Sequence, residues 1–227
     1  MPNLLCIETA TAVCSVAVFQ GKNLLAVQEI ADGNQHASQL AVLIQQTLLN
    51  AGLTAKQLDA VVISKGPGSY TGLRVGVSTA KGICYALNKP LIAINTLKSM
   101  AYSFVEQHKP ETGLICPMID ARRMEVYTAL FDVKGNEVME TQAKIIEPDS
   151  FAKFADHEIM FIGNGAQKCK GIINHAKAKF INGFNCSALG LGLSGLVAFN
   201  NNNFENVAYF EPYYLKDFVG TTAKKAV

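Results

Sequence analysis

The run Ser64-Lys-Gly-Pro-Gly-Ser-Tyr-Thr-Gly-Leu-Arg-Val-Gly76 holds the residue types that cradle phosphate: glycines, hydroxyls and a lysine. The apolar residues Ala60 to Ile63 before it read as a buried strand. Pro67-Gly68 predicts a type II turn, with Pro fixing φ and Gly taking φ > 0. Ser69 or Thr71 then caps a helix that runs to about Leu87. Unpaired N–H groups and the helix dipole converge at such a strand–turn–helix junction and favour an anion. A Walker loop, however, needs Lys and then Ser or Thr directly after its last glycine, and here Gly72 is followed by Leu73-Arg74. The run does not read as a Walker nucleotide site.

Two carboxylates stand at comparable places. Glu8 closes the first strand and Asp120 closes the strand that opens the second half. In one reading they face each other across a cleft and, with Thr9 and Thr11, form a vestigial Mg²⁺-nucleotide site. In the other, each carboxylate caps its adjacent turn. The four histidines (His36, His108, His157 and His175) show no His-x-x-x-His or His-Glu-x-x-His spacing, so no metal site is expected. Ser69 has no His/Asp pairing, and the nucleophile elbow Gly-x-Ser-x-Gly does not occur. Gly163-Asn-Gly165 is either a nucleotide loop or, more simply, a turn after a strand.

Composition narrows the classes. The chain of 227 residues is 49% hydrophobic and 17% charged, enough for one large domain or two small lobes with a substantial core. A formal charge of +2 is too small for strong nucleic-acid binding by bulk electrostatics. The local basic clusters are Arg122-Arg123 and the tail Lys216, Lys224 and Lys225, which read first as solvated surface. Six cysteines form no Cys-x-x-Cys pair, and several fall inside expected strands or helices as small hydrophobes. No signal peptide is visible, so reduced thiols and a cytoplasmic location are expected. No apolar stretch approaches the ~20 residues of a membrane helix.

The elements that must position these residues alternate in a recognisable order. Strands are expected at Leu4–Glu8, Cys14–Phe19 and Leu24–Ile30, then a helix from Ser38 to Ala51. The strand before the glycine turn, its helix, a strand at Leu91–Ile94 and a helix at Thr96–Gln107 complete residues 1–108. Residues 109–227 open with the same meander: Leu114–Asp120, Glu125–Phe131 and a third strand after the hairpin turn Lys134-Gly-Asn136. A short helix at Pro148–Ala155, a strand at Ile159–Ile162 and a last helix at Ser187–Phe199 follow. Residues 164–185 give no clear pattern. The order β-β-β-α-β-α-β-α describes a ribonuclease-H-like lobe, repeated here with a reduced second copy whose terminal segment packs back on the first.

Two helical stripes stand out. Gly72, Gly76, Ala80 and Cys84 recur every four residues and let another backbone approach, either within the chain or at a subunit boundary. Gly72 and Gly76 each cost ~1 kcal/mol of helix propensity relative to Ala, so some contact must compensate. On the helix before it, Leu40, Leu43, Ile44, Thr47, Leu48 and Ala51 form an apolar face that Val42 and Leu49 widen.

Ile7-Glu-Thr-Ala-Thr11, Lys65 to Gly76, Ile119-Asp-Ala-Arg-Arg123 with Glu125-Val-Tyr127, and Glu211-Pro-Tyr-Tyr-Leu-Lys216 stand in one order. Together they resemble the TsaB (YeaZ) family over nearly the whole chain, most specifically at the glycine run. The resemblance implies an α/β actin-like ATPase (ASKHA) fold with two ribonuclease-H-like lobes. It also implies a non-catalytic scaffold in the formation of N6-threonylcarbamoyladenosine at position 37 of tRNA. The implied partners are a TsaD-like catalytic paralogue, a TsaE-like ATPase and, when the chain is alone, a second copy; tRNA would be met through the complex. The implied interface lies on the first lobe at Leu40, Leu43, Ile44, Thr47, Ser69, Tyr70, Gly72, Leu73, Arg74, Gly76, Val77 and Ala80. In TsaD-like proteins two metal-binding histidines lie where Thr96 and Met100 stand here, and neither replaces an imidazole. No intrinsic cofactor is therefore expected, and ATP, ADP and Mg²⁺ only in the assembled complex. The first-strand acid is Asp in most of the family; Glu8 departs from that. An active sugar-kinase-like or ATPase enzyme using the cleft between lobes is the alternative reading.

Overall fold

The computed structural model describes residues 1–31 and 36–216. The first half runs β1 (Asn3–Glu8), β2 (Cys14–Gln20), β3 (Asn23–Ile30), α1 (His36–Asn50), β4 (Ala60–Gly66), α2 (Tyr70–Leu87), β5 (Leu91–Asn95) and α3 (Thr96–His108). The second runs β6 (Leu114–Asp120), β7 (Glu125–Asp132), β8 (Glu137–Ile145), β9 (Ile159–Ile162), α4 (Ala166–Cys169), β10 (Ala178–Phe180) and α5 (Leu191–Asn200). Residues 164–185, without clear pattern in the sequence, hold the one-turn α4 and the three-residue β10. The segment expected as a helix at Pro148–Ala155 reduces to a 3₁₀ turn at Ala152–Phe154. Lys224 and Lys225 lie outside the described residues.

Both halves build the same five-stranded sheet. The first has the order β3-β2-β1-β4-β5 and the second β8-β7-β6-β9-β10, each with an antiparallel meander followed by parallel strands. This is the duplicated, actin-like plan. β1 and β4 read as unbroken apolar runs because both faces of their sheet are covered. On one face, α1 and α2 close a core that includes Leu5, Ile7, Leu43, Val61, Ile63 and Val77. On the other, α5 lies on Leu4, Cys6, Val62 and Ile92.

The helices cross the strand boundary. α5 comes from the second half yet covers the first sheet, while α3 follows the first sheet yet packs Leu97, Met100 and Phe104 against Ile115, Ile119 and Phe131 of the second. Division at 108–109 thus separates the strands but not the layers.

After α5 the chain returns along the first lobe. Glu205 bridges Leu91 at the edge of β5, and Val207 and Phe210 pack on the α1–α2 core. The Lys81 ammonium donates to the carbonyls of Ala208 (3.1 Å) and Phe210 (2.9 Å). Tyr213 N then donates to Lys65 O at 2.7 Å, which brings the segment across the glycine turn.

Candidate functional site

The glycine run forms the junction foreseen, with different internal geometry. Ser69 is the cap, its hydroxyl accepting from Gly72 N at 3.3 Å, and α2 begins at Tyr70. The type II turn at Pro67-Gly68 is not formed: the positive φ sits at Gly66 (+112°), and the Gly66–Pro67 bond is cis. Gly66 N donates to Thr96 Oγ1 at 3.1 Å, which ties the turn to the start of α3.

The small-residue stripe faces inward, against the turn after β1. A Cβ on Gly72 would lie 2.1 Å from Thr9 O, and one on Gly76 would lie 2.2 Å from Thr9 Oγ1. A Cβ on Gly68 would meet Ala10 O at 2.4 Å, and Ser69 N donates to that same carbonyl at 2.7 Å. The compensating contact is therefore the chain's own first turn. Thr11 takes a lesser part, its hydroxyl accepting from Val13 N at 3.4 Å.

The expected interface must be redrawn for the same reason. Leu40, Leu43, Ile44 and Thr47 of α1, and Gly72, Leu73, Gly76, Val77 and Ala80 of α2, are buried within the chain. Of that set, Ser69 and Arg74 are exposed and Tyr70 is half-buried. What α1 and α2 present outward is another row, with Val42 43%, Leu49 77% and Tyr85 86% exposed and Gly82 beside them. Val42 and Leu49 widen the apolar stripe without being buried by it. The α-helical period marks the sheet-facing side.

Glu8 and Asp120 both cap their own turns. Glu8 Oε1 accepts from Ala10 N at 2.7 Å, and Asp120 Oδ1 accepts from Arg122 N at 2.8 Å. Their surroundings differ. Glu8 is wholly buried; Oε1 also accepts from Ser64 Oγ at 2.6 Å, while Oε2 has no hydrogen-bond partner within the chain. The thiol of Cys186, reaching in from the second half, lies beside it. Burial raises the Glu8 carboxyl above the usual carboxylate range, against the lowering effect of Ser64, Ala10 N, Cys186 and Thr9 N. Burial, and the nearby Glu8, push the Cys14 thiol up to about 11. The longer Glu side chain spans from β1 to Ser64 on β4, a cross-strand bridge not visible in the sequence.

Asp120 is partly exposed and pairs with Lys168 of α4. Its carboxyl lies below the usual value: partial burial pushes it up, but hydrogen bonds from Lys168 and Arg122 N outweigh that. The Lys168 ammonium also donates to Arg123 O (2.8 Å) and Glu125 O (2.7 Å). Asn164 Oδ1 accepts from Asp120 N at 3.0 Å, so Gly163-Asn-Gly165 serves as a turn that braces the end of β6. Lys168 fell in the unpatterned stretch, and nothing in its sequence surroundings marks it.

A family model described as TsaD, tRNA N6-adenosine threonylcarbamoyltransferase, matches residues 28–226. The tRNA threonylcarbamoyladenosine biosynthesis protein TsaB of Haemophilus influenzae is 37% identical over 124 residues, 55% of this chain and 51% of its own. The chain thus spans about half the length of that relative. TsaB of Bacillus subtilis is 28% identical over 75% of this chain and 74% of its own. The solved structure of YeaZ from Pseudomonas aeruginosa superposes with a TM-score of 0.82 at 24% identity, covering 95% of this chain and all of the other. The chain belongs to the TsaB/YeaZ family.

Within this TsaB-family chain, the positions of the paralogue's histidines have structural roles. Thr96 holds the glycine turn through Gly66 N, and Met100 fills the core of the second sheet. Among the described residues, no three metal-ligating side chains converge. No described helix is long and apolar enough to cross a membrane.

Proposed function

We propose that this chain is a non-catalytic subunit in the biosynthesis of N6-threonylcarbamoyladenosine at position 37 of tRNA. It acts by docking on a TsaD-like catalytic paralogue. The observation that carries the non-catalytic part is the enclosure of Glu8. A general base or Mg²⁺ ligand has to reach solvent or substrate, whereas this carboxyl is wholly buried, with Oε1 taken by Ala10 N and Ser64. The docking face is the outward row of α1 and α2, with Val42, Leu49, Gly82 and Tyr85. Apolar side chains left exposed on two adjacent helices suit a partner surface burying more than ~1,000 Å². A TsaE-like ATPase and nucleotide join the assembled complex, and the chain pairs with a second copy when alone.

The test is co-purification and calorimetry with the TsaD-like subunit. Leu49→Glu with Tyr85→Ala changes only exposed side chains, so the fold should persist while affinity falls about a hundredfold or more. Undiminished binding by that variant would reject this face. Pure chain should neither turn over ATP nor transfer threonylcarbamoyl. A folded Glu8→Gln chain should support full transfer by the complex; its loss would restore the enzymatic alternative.

A further inference from the structure

Two basic features separated in the sequence come together in the fold. Arg122 and Arg123 form the loop between β6 and β7, and both have left-handed backbones, with φ of +71° and +49°. Two consecutive non-glycine residues there are strained, and such strain persists only where the surroundings impose it. They are imposed here by named contacts. Asp120 Oδ1 accepts from Arg122 N, Arg122 O accepts from Glu125 N at 3.1 Å, and the Lys168 ammonium donates to Arg123 O. Among the described residues neither guanidinium makes a hydrogen bond or ion pair, and both residues are exposed.

The returning segment 213–216 extends this loop into a surface. Lys216 pairs with Glu125, and the charges of Lys216 and Arg122 both act on Tyr127. Two residues earlier, Tyr214 packs on Tyr70 with ring centroids 4.8 Å apart. The guanidinium of Arg74 lies over Tyr70, 5.5 Å from its centroid, and donates to its hydroxyl at 3.1 Å. Asp120 and Glu125, which flank the loop, are matched by Lys168 and Lys216, and Glu211 is the carboxylate whose charge reaches Tyr214. The surplus charge belongs to Arg122, Arg123 and Arg74, interleaved with Tyr70, Tyr127 and Tyr214.

We infer that this surface binds RNA, holding phosphates with Arg122 and Arg123 and offering the Arg74–Tyr70–Tyr214 stack to an unpaired base. Planar guanidinium forks match phosphate oxygens, and aromatic or arginine planes accept any base face. An acidic protein would use the arginines but not the ring stack. The small net charge confines the attraction to this patch and keeps it weak in isolation. The inference rests on the proposed tRNA-modifying role and assigns the chain a direct contact with that tRNA.

Glycine at both loop positions separates charge from structure. Arg122→Gly with Arg123→Gly relieves the left-handed strain, so the melting temperature should hold or rise. Fluorescence anisotropy with an unmodified tRNA transcript, over a series of KCl concentrations, should show affinity falling about tenfold or more. The slope of log affinity against log salt should drop by about two. Arg74→Ala should weaken binding by a smaller factor, and Lys22→Glu, on the distant β2–β3 turn, should not. Absence of wild-type binding, or equal loss with Lys22→Glu, would overturn the inference. A threonylcarbamoyl-transfer assay of the reconstituted complex keeps the two readings apart. Transfer with unchanged KM for tRNA in the double-glycine variant removes the RNA surface and leaves the function standing. Arg-dependent tRNA binding by a chain whose complex transfers nothing does the reverse.

Discussion

The two lobes repeat one device in two environments. Each has a first strand ending in an acid that accepts from the backbone N–H two residues on, Glu8 from Ala10 and Asp120 from Arg122. In the first lobe, full-length α2 lies on that turn, and Cys186 and Ser64 complete the enclosure. In the second, the corresponding helix is the single turn α4, and a lysine from it meets the acid at the surface. The length of the helix that follows the fourth strand of each sheet decides whether the acid sees water. Burial makes the first acid a structural plug whose carboxyl is raised above the usual range, while exposure leaves the second an ion-paired anchor for an arginine loop.

The sharpest way to break this comparison is to lift each helix off its turn. Gly72→Ala places a methyl 2.1 Å from a backbone oxygen, where relief requires moving β1's turn or α2 itself. We expect a loss of about 3 kcal/mol, roughly 6–12 °C in melting temperature for a chain of this size. The matching change in the second lobe, Gly165→Ala, meets Ile119 C at 2.9 Å and Asp120 N at 3.0 Å. It should cost about 1 kcal/mol, because one turn of helix shifts more readily than five. Equal losses in thermal melts would mean that the two helices press on their turns alike.

The next prediction concerns protons. Glu8 has a raised folded-state pKa, so the folded chain binds its proton more tightly than the unfolded chain, whose reference value is 4.5. Stability from this group is fully present below that reference and is lost as pH rises towards the folded value, by about 1.4 kcal/mol per pH unit. Glu8→Gln keeps an acceptor for Ala10 N and Ser64 and removes the titration. Denaturant melts of both proteins across pH should therefore diverge in the variant's favour as pH rises above about 4.5. Parallel curves would show that Glu8 ionises as freely when folded as when unfolded.

Periodicity made the first sheet, four strands of the second, all the long helices and the duplication legible, because a buried strand and a sheet-covering helix write their burial into spacing. Inward and outward faces were harder. The stripe of Gly72, Gly76 and Ala80 announces close approach but not to what, and only the fold shows Thr9 as the answer. Val42 and Leu49 look like core in the sequence yet stand in solvent, since surplus apolar residues on a helix carry no label for their use. Glu8 with Ser64 and Cys186, and Lys168 with Asp120, lie 45 or more residues apart, and no local pattern encodes such long-range pairs. The short elements between 164 and 185 escaped because four- and three-residue pieces are held by neighbours rather than by their own propensity.

The smallest expected effect is the most diagnostic of exposure. Asp120 has a lowered folded-state pKa, so its contribution exists above the unfolded reference of 3.8 and is lost as pH falls through the folded value. Its side chain is 46% exposed, and solvent screens the pairing with Lys168. Asp120→Asn retains an acceptor for Arg122 N, and Lys168 keeps the carbonyls of Arg123 and Glu125. The loss should stay below about 1 kcal/mol at neutral pH and shrink further in high salt. The Glu8→Gln difference, arising from a pocket closed to solvent, should respond little to salt. A salt-insensitive loss above about 2 kcal/mol at Asp120 would mean that the second lobe also seals its acid from water, and that α4, short as it is, covers its turn as α2 does.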